Sequence, residues 1–295
     1  KIESCYFFII NLPSNNEIEE KIKTQIVEFN KCQIYYERSG SGLPLIFIHG
    51  AFADLNLWDP QWEIFKDRYQ VIRFDLRGHG KTGPSGFTKY QMETFVEDLS
   101  ALLIALEIPS AIICGLSWGG SIAQGFATKF PERVKGLILA GSMVSMSLTF
   151  WEKIQRYMLV PKWLMKFIIQ SLSVQKFVKF PFWLSDIFIG KGLFGNDEQT
   201  INYLKNCMMS IDSNEYLKIW DAIYNFDMFP LERINCPTLI LNGEFEPVKI
   251  LKHTKELLKR IPNSHHILVP GAKHNMNMEN QKFFNSTINE FIKKL

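Results

Sequence analysis

The sequence has no long apolar run, no strong excess of one charge and no close pair of cysteines. A membrane-spanning helix needs roughly 18 or more consecutive apolar residues, and no stretch reaches that length. The 33 basic and 30 acidic side chains leave a net charge of +3, which gives no electrostatic reason to expect a nucleic-acid partner. These absences argue against a membrane-spanning protein and against a nucleic-acid-binding protein.

The five cysteines lie far apart, at positions 5, 32, 114, 207 and 236. Their odd number and wide spacing fit neither a metal-binding knuckle nor a redox pair. Residues 1–23, which we predict to be an N-terminal extension, hold an apolar run shorter than the core of a signal peptide. No small-residue cleavage site follows this run. We therefore expect reduced thiols, no bound metal and a cytoplasmic location.

From residue 24 onward, strand-like and helical patterns alternate along the chain. Segments 25–29 and 33–37 read as a hairpin that turns at Asn30 and Lys31. Buried strands are then predicted at 45–48, 71–74, 111–114, 137–140, 238–241 and 267–269, with helical patterns between them. Such alternation is typical of an α/β fold whose mostly parallel sheet is covered by helices on both faces.

The alternation is interrupted over residues 144–230, which hold no strand pattern of similar quality. We predict a helical cap here, inserted into a core formed by residues 24–143 and 231–295. Much of the aromatic content, 14% of the chain, lies in this insertion. A stripe at helical spacing either packs the cap onto the core or lines an apolar substrate pocket, and both are compatible. Its members are Trp163, Leu164, Phe167 and Ile168.

The same insertion is basic. Between Met143 and Gly195 there are seven Lys or Arg side chains and two acidic ones. Two interpretations fit this excess: a solvated helix face, or a basic aromatic face that rests on an anionic membrane surface.

The segment Gly115-Leu116-Ser117-Trp118-Gly119 follows a buried strand and precedes an amphipathic helix. A sharp strand-to-helix turn with small neighbours holds a serine at the carboxyl edge of a sheet. The amino end of the following helix favours a developing negative charge there. We therefore predict Ser117 as a nucleophile.

A serine hydroxyl needs a base, and six histidines are available. His274 follows the carboxyl end of the last predicted strand, where the active crevice of an open parallel sheet lies. The other five precede a strand, lie in a helix or belong to turns that are more often structural; they are His49, His79, His253, His265 and His266. Position therefore favours His274 as the base.

The base needs a carboxylate that fixes its tautomer and stabilises the imidazolium. Two candidates, Glu244 and Glu246, follow the strand at 238–241. The other nearby strand end, after 137–140, has no acidic residue before Glu152. We predict Glu246 as the acid and keep Glu244 as the alternative.

The order Ser117, Glu246, His274 resembles the α/β-hydrolase fold superfamily from about residue 24 to the end of the chain. The resemblance implies an oxyanion hole made by the backbone N–H of Trp118 and that of Ala51 or Phe52. The family usually has aspartate at the position of Glu246. Residues 75–80 resemble a turn that is structural in the family.

The resemblance implies a cofactor-free serine hydrolase, similar to carboxylesterases and enol-lactonases with a helical lid. The expected substrate is a small apolar ester, lactone or thioester, cleaved through an acyl-enzyme. Two alternatives stay open: acyl transfer or perhydrolysis on the same three residues, and a small-molecule receptor of the same fold. Neither the substrate-binding residues nor the oligomeric state can be predicted from the sequence.

Overall fold

The computed structural model describes residues 9–11, 23–159, 161–179 and 197–295. Its strands are β1 Ile9–Asn11, β2 Lys23–Phe29, β3 Cys32–Ser39, β4 Pro44–Ile48, β5 Gln70–Phe74, β6 Ala111–Leu116, β7 Val134–Ala140, β8 Thr238–Gly243 and β9 Ser264–Val269. They form one sheet in the order β1-β2-β3-β5-β4-β6-β7-β8-β9. The strands from β5 to β9 in this order all pair in parallel, whereas β1, β2 and β3 are antiparallel. The predicted mostly parallel sheet is therefore confirmed.

The predicted hairpin is present, with Phe29 paired to Cys32 across a two-residue turn. The turn residues Asn30 and Lys31 have φ values of 44° and 58°. Two positive φ values in succession match the twist of the flanking strands, which is why such turns join hairpins well.

Ten α-helices lie in the described residues: α1 Asp59–Phe65, α2 Met92–Ala105, α3 Trp118–Lys129, α4 Phe150–Leu159, α5 Lys162–Lys179, α6 Glu198–Ser210, α7 Ser213–Asn225, α8 Val248–Arg260, α9 Met276–Glu279 and α10 Gln281–Ile292. Helices α1 and α10 bury Trp62, Phe65 and Phe284 on one face of the sheet. Helices α2 and α3 bury Phe95 and Phe126 on the other face. Both faces are thus covered, as the alternating pattern predicts.

The loop after β5 is tied to α2 by a buried ion pair. The Arg77 guanidinium donates to both carboxylate oxygens of Asp98, at 2.8 and 2.5 Å. It also donates to the carbonyl of Asn30 in the hairpin turn, at 3.2 Å. One arginine therefore joins three segments that are distant in sequence, which agrees with a structural role for residues 75–80.

Helices α4 to α7 all lie between β7 and β8 in the chain. Helix α5 is broken at Ser173, where φ is 63°. The predicted cap boundaries, 144 and 230, remain a prediction, and residues 180–196 lie outside the described part. In the described residues, no helix combines the length and the apolar character needed to cross a bilayer.

Several aromatic side chains of α4 and α5 are more exposed than the sequence predicts. Four of them, Phe150, Trp151, Trp163 and Phe167, are exposed, so they neither pack on the core nor line an enclosed pocket. The expectation is wrong for Trp163 and Phe167, the two members of the predicted stripe among these four, because a helical period shows which residues share a face, not which way that face points. Phe177 does face inward, with its ring 6.3 Å from that of Tyr216.

We predict that Asp98→Ala lowers the free energy of unfolding by about 3–5 kcal/mol, because the buried Arg77 charge loses its partner. Urea unfolding measures this change. The matched control is Glu97→Ala, which removes an exposed ion pair with Lys129 and should change stability by less than about 1 kcal/mol. Equal effects for the two variants would contradict the structural role of Arg77.

Candidate active site

Ser117 occupies the single-residue junction between β6 and α3. Its φ and ψ are 54° and −115°, a conformation that a residue with a side chain rarely adopts. The strain is tolerated because the N–H of Ser117 donates to the carbonyl of Ala140 in the neighbouring strand, at 2.7 Å. Ser117 is half-buried, whereas both of its neighbours are buried.

The glycines of this turn let α3 approach the sheet closely. A Cβ on Gly119 would lie 2.2 Å from the carbonyl oxygen of Ile48 at the end of β4, and one on Gly120 would lie 1.7 Å from Ser142 Oγ. Either contact is too short for a real side chain. The amino end of α3 is therefore pressed against the carboxyl end of β4. The first N–H groups of an α-helix have no partner within the helix, so this end of α3 favours negative charge.

His274 and Glu246 meet at the carboxyl edge of the sheet, beyond β9 and β8. The distance from His274 Nδ1 to Glu246 Oε1 is 2.5 Å, and both side chains are almost fully buried. The carboxylate accepts here, so Nδ1 carries a proton, and this arrangement leaves Nε2 as the acceptor of the neutral tautomer. Gly141, at the end of β7, packs against the imidazole so closely that a Cβ there would lie 2.9 Å from Nδ1.

The second oxygen of Glu246 is held by groups that the sequence analysis missed. Oε2 accepts from the N–H of Gly243 at 3.3 Å and from Asn242 Nδ2 at 3.4 Å. Thr254 Oγ1 in turn donates to Asn242 Oδ1 at 2.7 Å, which orients the amide. A polar residue at the end of the apolar strand β8 was a signal that could have identified Asn242.

The alternative acid, Glu244, is exposed and makes a different contact. Its Oε2 accepts from the N–H of Gly271, at 2.8 Å, in the turn after β9. The two carboxylates therefore have different partners: Glu246 contacts the His274 imidazole, and Glu244 contacts the backbone.

The turn after β4 lies beside Ser117, because a Cβ placed on Gly50 would be 3.5 Å from Ser117 Cβ. The N–H of Phe52 donates to His79 Nε2 at 3.1 Å, with Phe52 in the left-handed region at a φ of 63°. The N–H of Ala51 has no acceptor among the described residues. Of the two predicted oxyanion donors in this turn, the geometry thus favours Ala51.

His49 and His79 are buried and hold this turn as neutral imidazoles. His49 Nδ1 donates to the Gly50 carbonyl at 2.8 Å and Nε2 accepts from the Leu76 N–H at 2.9 Å. His79 Nδ1 donates to the Arg77 carbonyl at 2.9 Å. Burial lowers the pKa of His49 to about 4 and that of His79 to about 3, the latter also because His49 is close.

The family model of the alpha/beta hydrolase fold matches residues 44–281 of the chain. The chain belongs to this family. The match covers the strands and helices that carry Ser117, Glu246 and His274, and it confirms the resemblance on which the predicted fold rests.

Among the proteins of similar sequence is 3-oxoadipate enol-lactonase 2 of Acinetobacter baylyi, 28% identical over 253 residues, which are 85% of this chain and 88% of the relative. A putative non-heme chloroperoxidase of Synechocystis is 26% identical over 264 residues, 88% of this chain and 94% of the relative. These names differ in activity, so family membership alone does not decide the reaction.

An esterase of Thermogutta terrifontis is similar in structure, with a TM-score of 0.74 at 23% identity. The superposition covers 92% of this chain and 97% of the esterase. At this identity the similarity is one of fold, and it confirms the predicted architecture.

We predict that the free energy of unfolding of the wild-type protein decreases as the pH falls below about 6.5. His79 binds a proton at its ordinary pKa in the unfolded chain, whereas burial lowers its pKa to about 3 in the folded protein. His79→Gln removes this group, so its unfolding free energy should fall less steeply with decreasing pH, by about 1.4 kcal/mol per pH unit below pH 6. Urea unfolding at several pH values measures both slopes, and parallel slopes would contradict a neutral His79.

Proposed function

We propose that the protein is a serine hydrolase that cleaves a small apolar carboxylic ester, lactone or thioester, with Ser117 as nucleophile, His274 as base and Glu246 as acid. The observation that carries the proposal is the 2.5 Å hydrogen bond between His274 Nδ1 and Glu246 Oε1, at the sheet edge where the strained Ser117 turn also ends. The names of the relatives, an enol-lactonase and an esterase, agree with it.

In the first half of the reaction, His274 Nε2 takes the proton of the Ser117 hydroxyl as the oxygen attacks the substrate carbonyl. The buried Glu246 carboxylate stabilises the imidazolium that forms. The tetrahedral intermediate collapses when His274 gives its proton to the leaving alcohol or thiol. The acyl group is then bound to Ser117.

In the second half, His274 removes a proton from water, which attacks the carbonyl of the acyl-enzyme. His274 then gives this proton to Ser117 Oγ as the acyl–oxygen bond breaks, so the carboxylic acid is released and the free serine is restored. In both halves the oxyanion accepts from the N–H groups of Trp118 and Ala51. Trp118 supplies the first N–H of α3, which has no partner within the helix. Two fixed donors stabilise the charge as it develops, because they need no reorganisation at the moment of reaction.

A small apolar substrate is supported by the side chains in the turn beside Ser117. Ala51 and Phe52 are half-buried, and the Phe52 ring stacks on that of Tyr216 with 4.3 Å between centroids. No charged side chain stands in the sequence from Gly50 to Ala53. An acyl or alcohol group that enters here meets an apolar surface on this side.

We predict that Ser117→Ala lowers the kcat for p-nitrophenyl esters at least about 10³-fold, because the acyl-enzyme cannot form. Ser121→Ala is the matched control: its hydroxyl lies one turn further along α3 and donates to the Met143 carbonyl, so turnover should stay within about tenfold of wild type. Unchanged turnover in Ser117→Ala would refute the assignment.

We predict that Glu246→Gln lowers kcat by about 10²- to 10⁴-fold, since an amide stabilises neither the required tautomer nor the imidazolium. Glu244→Gln should change kcat less than about tenfold, because it replaces an exposed backbone contact. Steady-state kinetics on the two variants decide between the carboxylates. Loss of activity in Glu244→Gln alone would show that Glu244 is the acid.

A further inference from the structure

Helix α4 has its apolar face turned to solvent. Phe150, Trp151, Tyr157 and Met158 are between 53% and 75% exposed, and at 100° per residue they share an arc of about 120°. None of the residues of α4 is buried. An amphipathic helix of a globular protein normally buries this face, so its exposure needs an explanation.

The polar side of α4 faces the protein and fixes the orientation of the helix. Glu152 accepts from the Leu148 N–H at 2.7 Å, and Lys153 pairs with Asp227 at 3.3 Å. Arg156 Nη1 donates to the Tyr224 carbonyl at 2.7 Å, and its guanidinium lies 4.5 Å from the centre of the Tyr224 ring. Rotating the apolar face inward would break all of these contacts.

Helix α5, which follows directly, repeats the pattern in its first turns. Trp163 and Phe167, one turn apart, are 68% and 63% exposed. Lys166, between them in sequence, is also exposed. We call six of the exposed large apolar side chains of the two helices the cap face; they are Phe150, Trp151, Tyr157, Met158, Trp163 and Phe167.

The charge of the two helices indicates which kind of partner binds the cap face. Together α4 and α5 carry six basic residues and one acidic residue, Glu152. Lys153, Arg156 and Lys162 contact Asp227, the Tyr224 carbonyl and Asp221. Lys166 and Lys176 are exposed, so the charge that these helices offer to a partner is positive. A second copy docked through the same face would bring like charges together, which is unfavourable in a two-fold interface. An anionic lipid surface complements the charge instead.

We propose that the cap face docks on an anionic membrane surface. The apolar side chains enter the boundary between headgroups and acyl chains, a position that Trp and Tyr favour because their rings are amphipathic. The two exposed lysines of α5, Lys166 and Lys176, contact lipid phosphates. The helices lie on the surface and do not cross it. This inference is independent of the proposed hydrolase activity.

Flotation of the full chain with vesicles tests the proposal. Vesicles of phosphatidylcholine mixed with phosphatidylglycerol should bind the wild type, and vesicles of phosphatidylcholine alone should bind it more weakly. The variant Trp151→Ser/Met158→Ser should lower the partition coefficient at least about tenfold, because two large apolar groups are lost. Lys166→Gln/Lys176→Gln should lower it about fivefold or more for each charge that contacts lipid.

The matched control is Ile64→Ser/Ile104→Ser, which removes two exposed apolar side chains from α1 and α2, outside the cap face. It should bind vesicles as the wild type does. All substituted side chains are exposed, and thermal unfolding of each variant checks that it folds. Failure of the wild type to bind anionic vesicles, or an equal loss in the control, would overturn the proposal. A dimer in light scattering that Trp151→Ser/Met158→Ser abolishes would assign the face to a second copy instead.

Discussion

The close approach of α3 to β4 is the contact on which the rest of the candidate site depends. Gly119 stands where any side chain would collide with the Ile48 carbonyl. This contact holds Ser117 in its unusual backbone conformation and brings the turn after β4 beside it. Ser117, the N–H of Ala51 and the N–H of Trp118 are therefore all positioned by one helix-to-strand contact.

Two buried histidines, His49 and His79, fix the position of the turn after β4. Their neutral rings pair with backbone groups of residues 50, 52, 76 and 77, so two loops at neighbouring strand ends are locked together. Because the Phe52 N–H is engaged, the Ala51 N–H is the one left for a ligand. His49 and His79, which their positions in the sequence excluded as the base, form hydrogen bonds with backbone groups instead.

The fold and the neighbourhood of His274 and Glu246 followed from the sequence because both depend on local patterns. Apolar runs locate parallel strands, and a parallel sheet gathers the residues after each strand at one edge. The catalytic roles of Ser117, His274 and Glu246 stay predictions. Gly141 and Thr254 were missed because their parts arise only from contacts between distant segments, which no local pattern encodes.

The direction of α4 could not be predicted for a related reason. Its period defines one apolar and one polar face, and the usual assumption is that the apolar one turns inward. Here the polar side has partners on the protein, namely the Tyr224 carbonyl for Arg156 and the exposed Asp227 for Lys153. Only the partners, which come from α7 and the loop after it, decide which face is buried.

Phe52 contacts both the loop after β5 and helix α7. Its backbone is held by His79, while its ring lies parallel to that of Tyr216 in α7, with 15° between the planes. If α7 moved away from the sheet, the stack would separate, and Phe52 would be held by its backbone hydrogen bond to His79. A displacement of α7 would therefore remove one contact of the turn that carries the Ala51 N–H.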